Sequence, residues 1–597
     1  MSDNSRIPNP QQYTDLATFK IFFDGSKIDP KYEVLSIMVN KEIGRIPTAR
    51  VVIADGDAAK EKFDISDKAT FLPGKTVKIQ AGYRSDDHTI FEGIVIKHNI
   101  KIRANGSTTF IIECKDKAVK MTAERNSKYF YNKKDSDIIK DIISKHGLSA
   151  DVESTNITHK EMIQYNCTDW DFLMARAEMN GLLVAVDDGK VSVKKPDFGQ
   201  EAVVKPRYGA TILELEAEMD SRLQLKETKA IAWKYADQSV IDAKGDAQAA
   251  PEGSVSPTDL AKVIHTAPFH LRHTGNLNPQ ELKTWADAQM LKSRLSKIRG
   301  HVKFEGFAAV KPAKMIELLG VGSHFNGKAL VGGVRHEIGE GAWTSDVQFG
   351  LSPEWFMAQE DVIGLPAAGL LPAVHGLQIG KVVKIGPDPD GEHRIQVKVP
   401  MIDNSADGIW ARVACLDAGS KRGSFFRPEI GDEVVVGFLN DDPRHAIVLG
   451  QLHSSAKESP LPGKDENHEK GFYTRSDMRI HFDDQHKVMT IQTPAGNKMV
   501  ISEKDKSITI QDQNNNKMVM EPSGIKIESP GEISIKATRD VKIEGLNVNV
   551  KAQVGGKFEA VTLDLKGSAQ LNAEGSGMAT VKSSGILTVQ GSLVKIN

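Results

Sequence analysis

An apolar pair returns every eight residues near the end of this chain, at Leu563/Leu565, Leu571/Ala573, Ala579/Val581 and Leu587/Val589. A small residue follows each pair by two positions, Gly567, Gly575, Ser583 and Gly591, so the unit reads apolar-x-apolar-x-small-x-x-x. The same unit stands upstream as Ile525/Ile527/Ser529, Ile533/Ile535/Ala537 and Val541/Ile543/Gly545, with one slip of phase between Gly545 and Gly567. Alternation places both apolar residues on one face of a strand, and the small residue permits the turn that follows. Burying one aliphatic side chain contributes roughly 1.5–3 kcal/mol, whereas ordering each residue costs roughly 1–2 kcal/mol of backbone entropy. Such a unit cannot stand alone and must stack on its neighbours. One short strand and one turn do not close a coil around a core, but three chains together can, as a triangular prism with the apolar pairs on its axis. A single-chain β-helix with irregular coils is the alternative these residues leave open. A disordered Gly/Ser tail is the third reading, and the phased aliphatics count against it.

At 597 residues the chain is several domains long, and its 40% hydrophobic and 26% charged content is ordinary for globular protein. A formal net charge of −2 gives no bulk basic field to recruit nucleic acid or an anionic membrane. Cys114, Cys167 and Cys415 lie far apart without CxxC spacing, which argues against a disulfide framework and a cysteine zinc site. The start "MSDNSRIPNPQQ" lacks the basic and apolar regions of a secretory signal, and no apolar run reaches transmembrane length. The chain is therefore expected to be made in the cytoplasm without a signal peptide and carried out by other machinery.

Read for organisation, the chain is mainly β with some α. Alternating strands such as "TARVVIA" and "KTVKIQAGY" make residues 1–115 a first β-barrel. Residues 116–225 carry helices: "KKDSDIIKDIISKHGL", capped by Asp135 or Ser136 and closed at Gly147, and "CTDWDFLMARAEMNG", capped by Thr168 or Asp169 and ended at Gly181. Asp188-Gly189 marks a hairpin. Residues 226–363 form a second barrel with a polar connection around 236–262 and a helix through "PQELKTWADAQMLKSRLSKIRG". A Pro/Gly/Ala linker covers 364–375, five short strands in 376–453 suit an OB-fold barrel, 454–471 is a charged linker, and 472–597 is strand repeats.

This order of parts resembles the VgrG spike proteins of type VI secretion and related contractile injection systems, which look like a phage tail hub fused to a cell-puncturing spike. "FLPGKTVKIQAGY", "FEGIVI" and "NCTDWDFLMARAEMNG" are similar to the hub-like half. The segment from Trp410 to Leu452 is similar to the family's most specific stretch, at Trp410, Arg412, Gly419, Gly423, Pro428, Glu429, Gly431, Asp432, Glu433, Val434, Phe438, Pro443 and Gly450. The octads resemble the trimeric β-helix needle. The resemblance implies a homotrimer on a hexameric inner tube with baseplate and hub components. It also implies a PAAR-type tip protein on the needle end at Val594, Lys595, Ile596 and Asn597, effectors as cargo, and a target cell envelope to be pierced. The needle axis is expected to be lined by Ile525, Ile527, Ile533, Ile535, Val541, Ile543, Leu563, Leu565, Leu571, Ala573, Ala579, Val581, Leu587 and Val589. No lysozyme-like domain separates barrel from needle, and no further domain follows within the sequence.

Candidate chemistry is sparse. His481, Asp483, Asp484 and His486 in "HFDDQH" are metal-capable, but strand-turn-strand is the stronger reading. "PGKT" at 73–76 lacks the glycine a phosphate loop needs at 69 and reads as a turn, as does "GVGSHFNG" from Gly320. Trp410, Arg412 and Glu433 are read as barrel core plus a structural ion pair. No HExxH or GxSxG is present. The expectation is a structural spike with no catalytic residue, cofactor, metal or nucleic-acid partner. The rival is a delivered enzyme or toxin with a hydrolytic site in the N-terminal half, and a receptor-binding fibre is a third possibility.

Overall fold

The computed structural model describes residues 16–596 apart from 105–106, 247, 249–252, 360–361 and 363. Expectations for residues 1–15 and for Asn597 lie outside the described residues. The chain divides into two compact units, Met1–Gln451 and Leu452–Asn597.

In the first unit the strand Thr48–Ala54 shows how sequence makes structure. Ala49, Val51 and Ile53 point inward and are buried, while Arg50 points out, as the period-two geometry of a strand requires. It pairs antiparallel with Val34–Glu42 and with Thr108–Lys115, and Asp86–Ile102, Thr76–Tyr83 and Ala17–Phe23 follow in order. Phe23, Phe71 and Phe110 meet edge to face in the core of this part. The strands of the later β-rich segment join the same sheet. Gly327–Gly339 pairs with Val34–Glu42, with His336 opposite Val39, so thirteen strands form one hydrogen-bonded sheet that serves two separate apolar cores.

Helix α1, Asp135–Lys145, buries Ile138, Ile139, Ile142 and Ile143 against Trp170, Leu173 and Ala177 of α2, Asp169–Met179. Thr168 caps α2 by accepting from the Asp171 amide at 3.0 Å. The α1 cap differs from expectation. Its N-cap is Lys134, with no side-chain cap, because the Asp135 carboxylate is turned inward to Arg176, His159 and Asn180. Gly147 and Gly181 close the two helices with φ of +70° and +67°. The Asp188-Gly189 turn, both residues at positive φ, joins Leu183–Asp187 to Lys190–Lys194.

The described parts of the polar connection around 236–262 are more regular than its composition suggests. They hold the strand Ser239–Lys244, paired with Thr228–Lys234, and the short helix α3, Pro257–Lys262, capped by Ser256. The burial of Ala230 and Ala232 on the partner strand, packed against Leu282 and Ala286 of α4, Pro279–Leu295, pins this hairpin down. Five strands, Gln378–Lys384, Ile395–Lys398, Ile409–Val413, Glu433–Phe438 and Ala446–Gln451, then close into a barrel.

The second unit opens with a seven-strand antiparallel meander: Glu469–Tyr473, Arg479–Asp483, Val488–Gln492, Lys498–Ser502, Ser507–Gln511, Lys517–Glu521 and Gly524–Glu528. Among the described residues no helix is long and apolar enough to cross a membrane.

Candidate functional site

The meander shows its purpose in its register. Ile480 faces Ile491, which faces Met499, then Ile510, Met518 and Ile527 in turn. Two residues along each strand, Phe482, Met489, Ile501, Ile508, Met520 and Ile525 form a parallel column. Adjacent positions on the same strands carry Thr490, Val500, Thr509 and Val519 on the other face. Two unbroken apolar columns therefore run along one face of this unit, and each strand's alternate spacing was the signal for them.

Ile525 and Ile527 end these columns and begin the octads. Beyond them the chain bends at 530–531, 538–539, 546, 553–554, 561–562, 568–569, 576–577, 584–585 and 592–593. Each expected axial residue lies between bends: Ile533 and Ile535, Val541 and Ile543, Leu563 and Leu565, Leu571 and Ala573, Ala579 and Val581, Leu587 and Val589. All are exposed in the single chain, Ile535 to 74% and Leu587 to 54%. Val594, Lys595 and Ile596 at the end of the chain are exposed too.

The small barrel is built on the same alternation. Ala411, Val434 and Val436 are fully buried with Ile395 and Val397. The reading of Trp410, Arg412 and Glu433 as core and ion pair is corrected here. With Ala411 inside, its neighbours Trp410 and Arg412 must face out. Trp410 lies under the Lys384 ammonium, 5.9 Å from ring centroid to Nζ, and Arg412 is exposed, while Glu433 is opposite Lys381 in the strand pairing. Gly431, at φ +91°, donates to Val382 O at 2.8 Å, and Asp432 accepts from the Glu429 amide at 2.9 Å, so this turn is clipped to the first barrel strand. Gly423 is demanded sterically, since a Cβ there would lie 2.3 Å from Asp417 O. Phe438 packs half-buried on the core, Pro443 lies in the turn before Ala446, and Gly450 opposes Val435.

Two buried charge networks in the first unit carried no local signal. Asp135 accepts from Arg176 Nε at 2.7 Å and Nη2 at 3.0 Å, from Asn180 at 2.9 Å, and lies 3.0 Å from His159 Nε2. Burial alone raises its pKa, but the hydrogen bonds from His159 and Arg176 and the Arg176 charge more than reverse this and hold it well below the usual carboxylate range. In the second network buried Lys41 contacts Asp187 and lies 2.9 Å from Asp188, while Lys311 lies 2.6 Å from Asp187. Nearby His336 is buried against Ser345 and Trp343, and desolvation, aided by Lys41 and Lys311, pushes its pKa down to about 3. The first network lies within the helical segment, the second ties that segment to both β-rich segments, and neither is arranged around a cleft. Among the described residues no cluster of His, Cys, Asp and Glu is placed to hold a metal ion. His486 instead bonds Asp483 at 2.8 Å within its own turn.

Residues 13–340 match the Alg8 N-terminal domain, residues 378–453 the type VI secretion system/phage-baseplate injector OB domain, and residues 488–554 the phage baseplate V C-terminal trimerisation domain. The type VI secretion system spike protein VgrG3 of Vibrio cholerae serotype O1 is 35% identical over 100 residues, 15% of this chain and 9% of that protein. The actin cross-linking toxin VgrG1 of Vibrio cholerae is 32% identical over 134 residues, 20% of this chain and 11% of that protein. The spike protein VgrG1b of Pseudomonas aeruginosa is 33% identical over 97 residues, 15% and 13% respectively. The chain thus matches about a tenth of the length of these relatives. Among solved structures, the 43 kDa tail protein of prophage MuSo2 from Shewanella oneidensis overlaps 56% of this chain and 98% of its own at 11% identity and a TM-score of 0.43. The E. coli c3393 protein, a component of the type VI secretion system, overlaps 72% and 100% at 12% identity and a TM-score of 0.37. With more than half of its length in the Alg8 N-terminal domain, the chain belongs to that family, and the injector OB and trimerisation domains that follow in series support a VgrG-type spike.

Proposed function

We propose that this protein is the central spike of a contractile injection system and works as a homotrimer. The observation that carries the reading is the pair of apolar columns in the second unit, most of whose length lies in the segment matched to a trimerisation domain: the column from Ile480 to Ile527 is largely exposed on its own chain, and the column from Phe482 to Ile525 is mostly only half-buried. Two further copies cover them. Three chains then share one axis, every strand edge gains a neighbour, and the resulting prism is stiff. Stiffness is what puncturing a target envelope requires, and contraction of an outer sheath supplies the work.

In this reading the first unit is the hub, seated on a hexameric inner tube among baseplate components. The exposed end at Val594, Lys595 and Ile596 takes a PAAR-type tip protein, and effectors travel with the spike. The chain is made in the cytoplasm and leaves with the particle. It acts mechanically rather than enzymatically: in the hub the buried Asp135 and Lys41 are held in ion pairs with Arg176 and Asp187. The relative named as an actin cross-linking toxin matches over only 11% of its own length.

Removing everything after Pro530 tests the reading. Native mass measurement of the full chain should give a trimer, and the truncated chain should lose trimerisation and particle assembly. Intact assembly without the octads overturns the spike reading, and peptidoglycan hydrolysis by the purified protein favours an enzyme.

A further inference from the structure

The phase slip between Gly545 and Gly567 is resolved by the bends. Each bend is followed within one or two residues by an apolar pair, so the pairs between Val541 and Leu563 are Val548/Val550 and Gly556/Phe558. The spacing shortens to seven residues from Val541 to Val548 and again from Gly556 to Leu563, with eight between. In the columns from Ile525 to Val589, Gly556 is then the single glycine and Phe558 the single aromatic, and every other member is Ala, Val, Ile or Leu.

Nothing in its own chain explains Gly556. Its φ lies outside the left-handed region that favours glycine, and a Cβ built on it would meet no atom within 4 Å. Phe558 is 75% exposed, a large apolar side chain without cover from its own chain. A missing side chain and an oversized one stand two residues apart, the spacing that places both on one face wherever the segment is extended.

Resting on the trimeric reading, we propose that a second copy of this chain completes the site: the Phe558 ring of each copy fills the space left by Gly556 of its neighbour, and this layer fixes the register of the three chains. The need for such a layer follows from the repeat. A sequence of near-equivalent aliphatic octads tolerates a slip of one unit, because each layer meets a similar one. A single layer of different shape removes that degeneracy, as one distinct core residue sets register in a coiled coil.

The test uses the full chain. Gly556→Val is expected to leave the chain's own fold intact, since the added Cβ meets nothing within 4 Å there, which circular dichroism verifies. It should nevertheless reduce the SDS-resistant trimer at least about tenfold, because an overfilled layer forces the chains apart. The size-exchanged double variant Gly556→Val/Phe558→Ala should recover the trimer. In the double variant Gly556→Cys/Phe558→Cys, mild oxidation should give covalent trimers on non-reducing gels, and peptide mapping should show disulfides joining position 556 of one chain to position 558 of another. A Gly556→Val trimer as stable as the parent, or disulfides that join only position 558 to position 558, overturns the proposal while leaving the trimer standing. A parent protein that is monomeric overturns the trimeric reading itself, and this proposal with it.

Discussion

The guanidinium of Arg176 holds the carboxylate of Asp135 in a fork, Nε to Oδ1 at 2.7 Å and Nη2 to Oδ2 at 3.0 Å, across two helices. Removing the carboxylate with Asp135→Ala leaves Arg176 with only Glu281, 3.9 Å away, as an ion-pair partner beside a buried core and should cost about 3–5 kcal/mol of hub stability. Urea unfolding of the full chain measures it. The Asp135 pKa is depressed in the fold, so its stabilisation is present above the unfolded value of 3.8 and is lost as pH falls below it. A variant as stable as the parent would show that the fork contributes nothing net.

His336 sets a second acid sensitivity, in a higher window. Its imidazole is buried neutral with a pKa of about 3, against 6.5 for an exposed histidine. The unfolded chain therefore takes up this proton first as pH falls. Stability from this group is full above about 6.5 and declines toward 3, by at most about 1.4 kcal/mol per pH unit. His336→Gln should flatten that slope, and the fluorescence of adjacent Trp343 is a convenient local probe.

The outward placement of Trp410 predicts an asymmetry in the small barrel. Trp410→Ala removes a contact with Lys384 at the barrel wall and should cost only about 0.5–1 kcal/mol. Val434→Asp puts an unpaired carboxylate into the closed core and should prevent the barrel from folding. Limited proteolysis distinguishes the two, and equal effects would mean that Trp410 is core after all.

The two apolar columns predict that a single charge in the meander is enough to disassemble the protein. Ile501→Asp sits where Met489 and Ile508 flank it and should abolish trimers on native mass measurement. The same change at Val500, on the other face, should weaken them far less. Equal behaviour of the two variants would assign the columns no role in assembly.

Local pattern made much of this molecule legible in advance. The octads, the five barrel strands, the two helices of residues 116–225 and the Asp188-Gly189 turn are each specified by residues within a few positions of one another, and short-range geometry is what period and turn chemistry encode. The orientation of Trp410 was not legible, because which residue of an alternating strand faces inward depends on the partner strands, and Ala411 decided it.

By itself, the sequence determined that the C-terminal octads carry phased apolar pairs and that a small barrel precedes them, whereas the strands expected throughout 472–597 end at Glu528 in the structure and the octads beyond it form bends with exposed apolar pairs. Only the tertiary structure decided that the two N-terminal β-rich segments share one sheet, that Lys41 meets Asp187 across 146 positions and that Lys311 meets it across 124. It also decided that the apparent slip at Gly545 is two shortened units bracketing Gly556 and Phe558. The reason is common to all three: alternation and period are properties of neighbouring residues, whereas pairing and burial are set by whatever distant segment arrives on the other side.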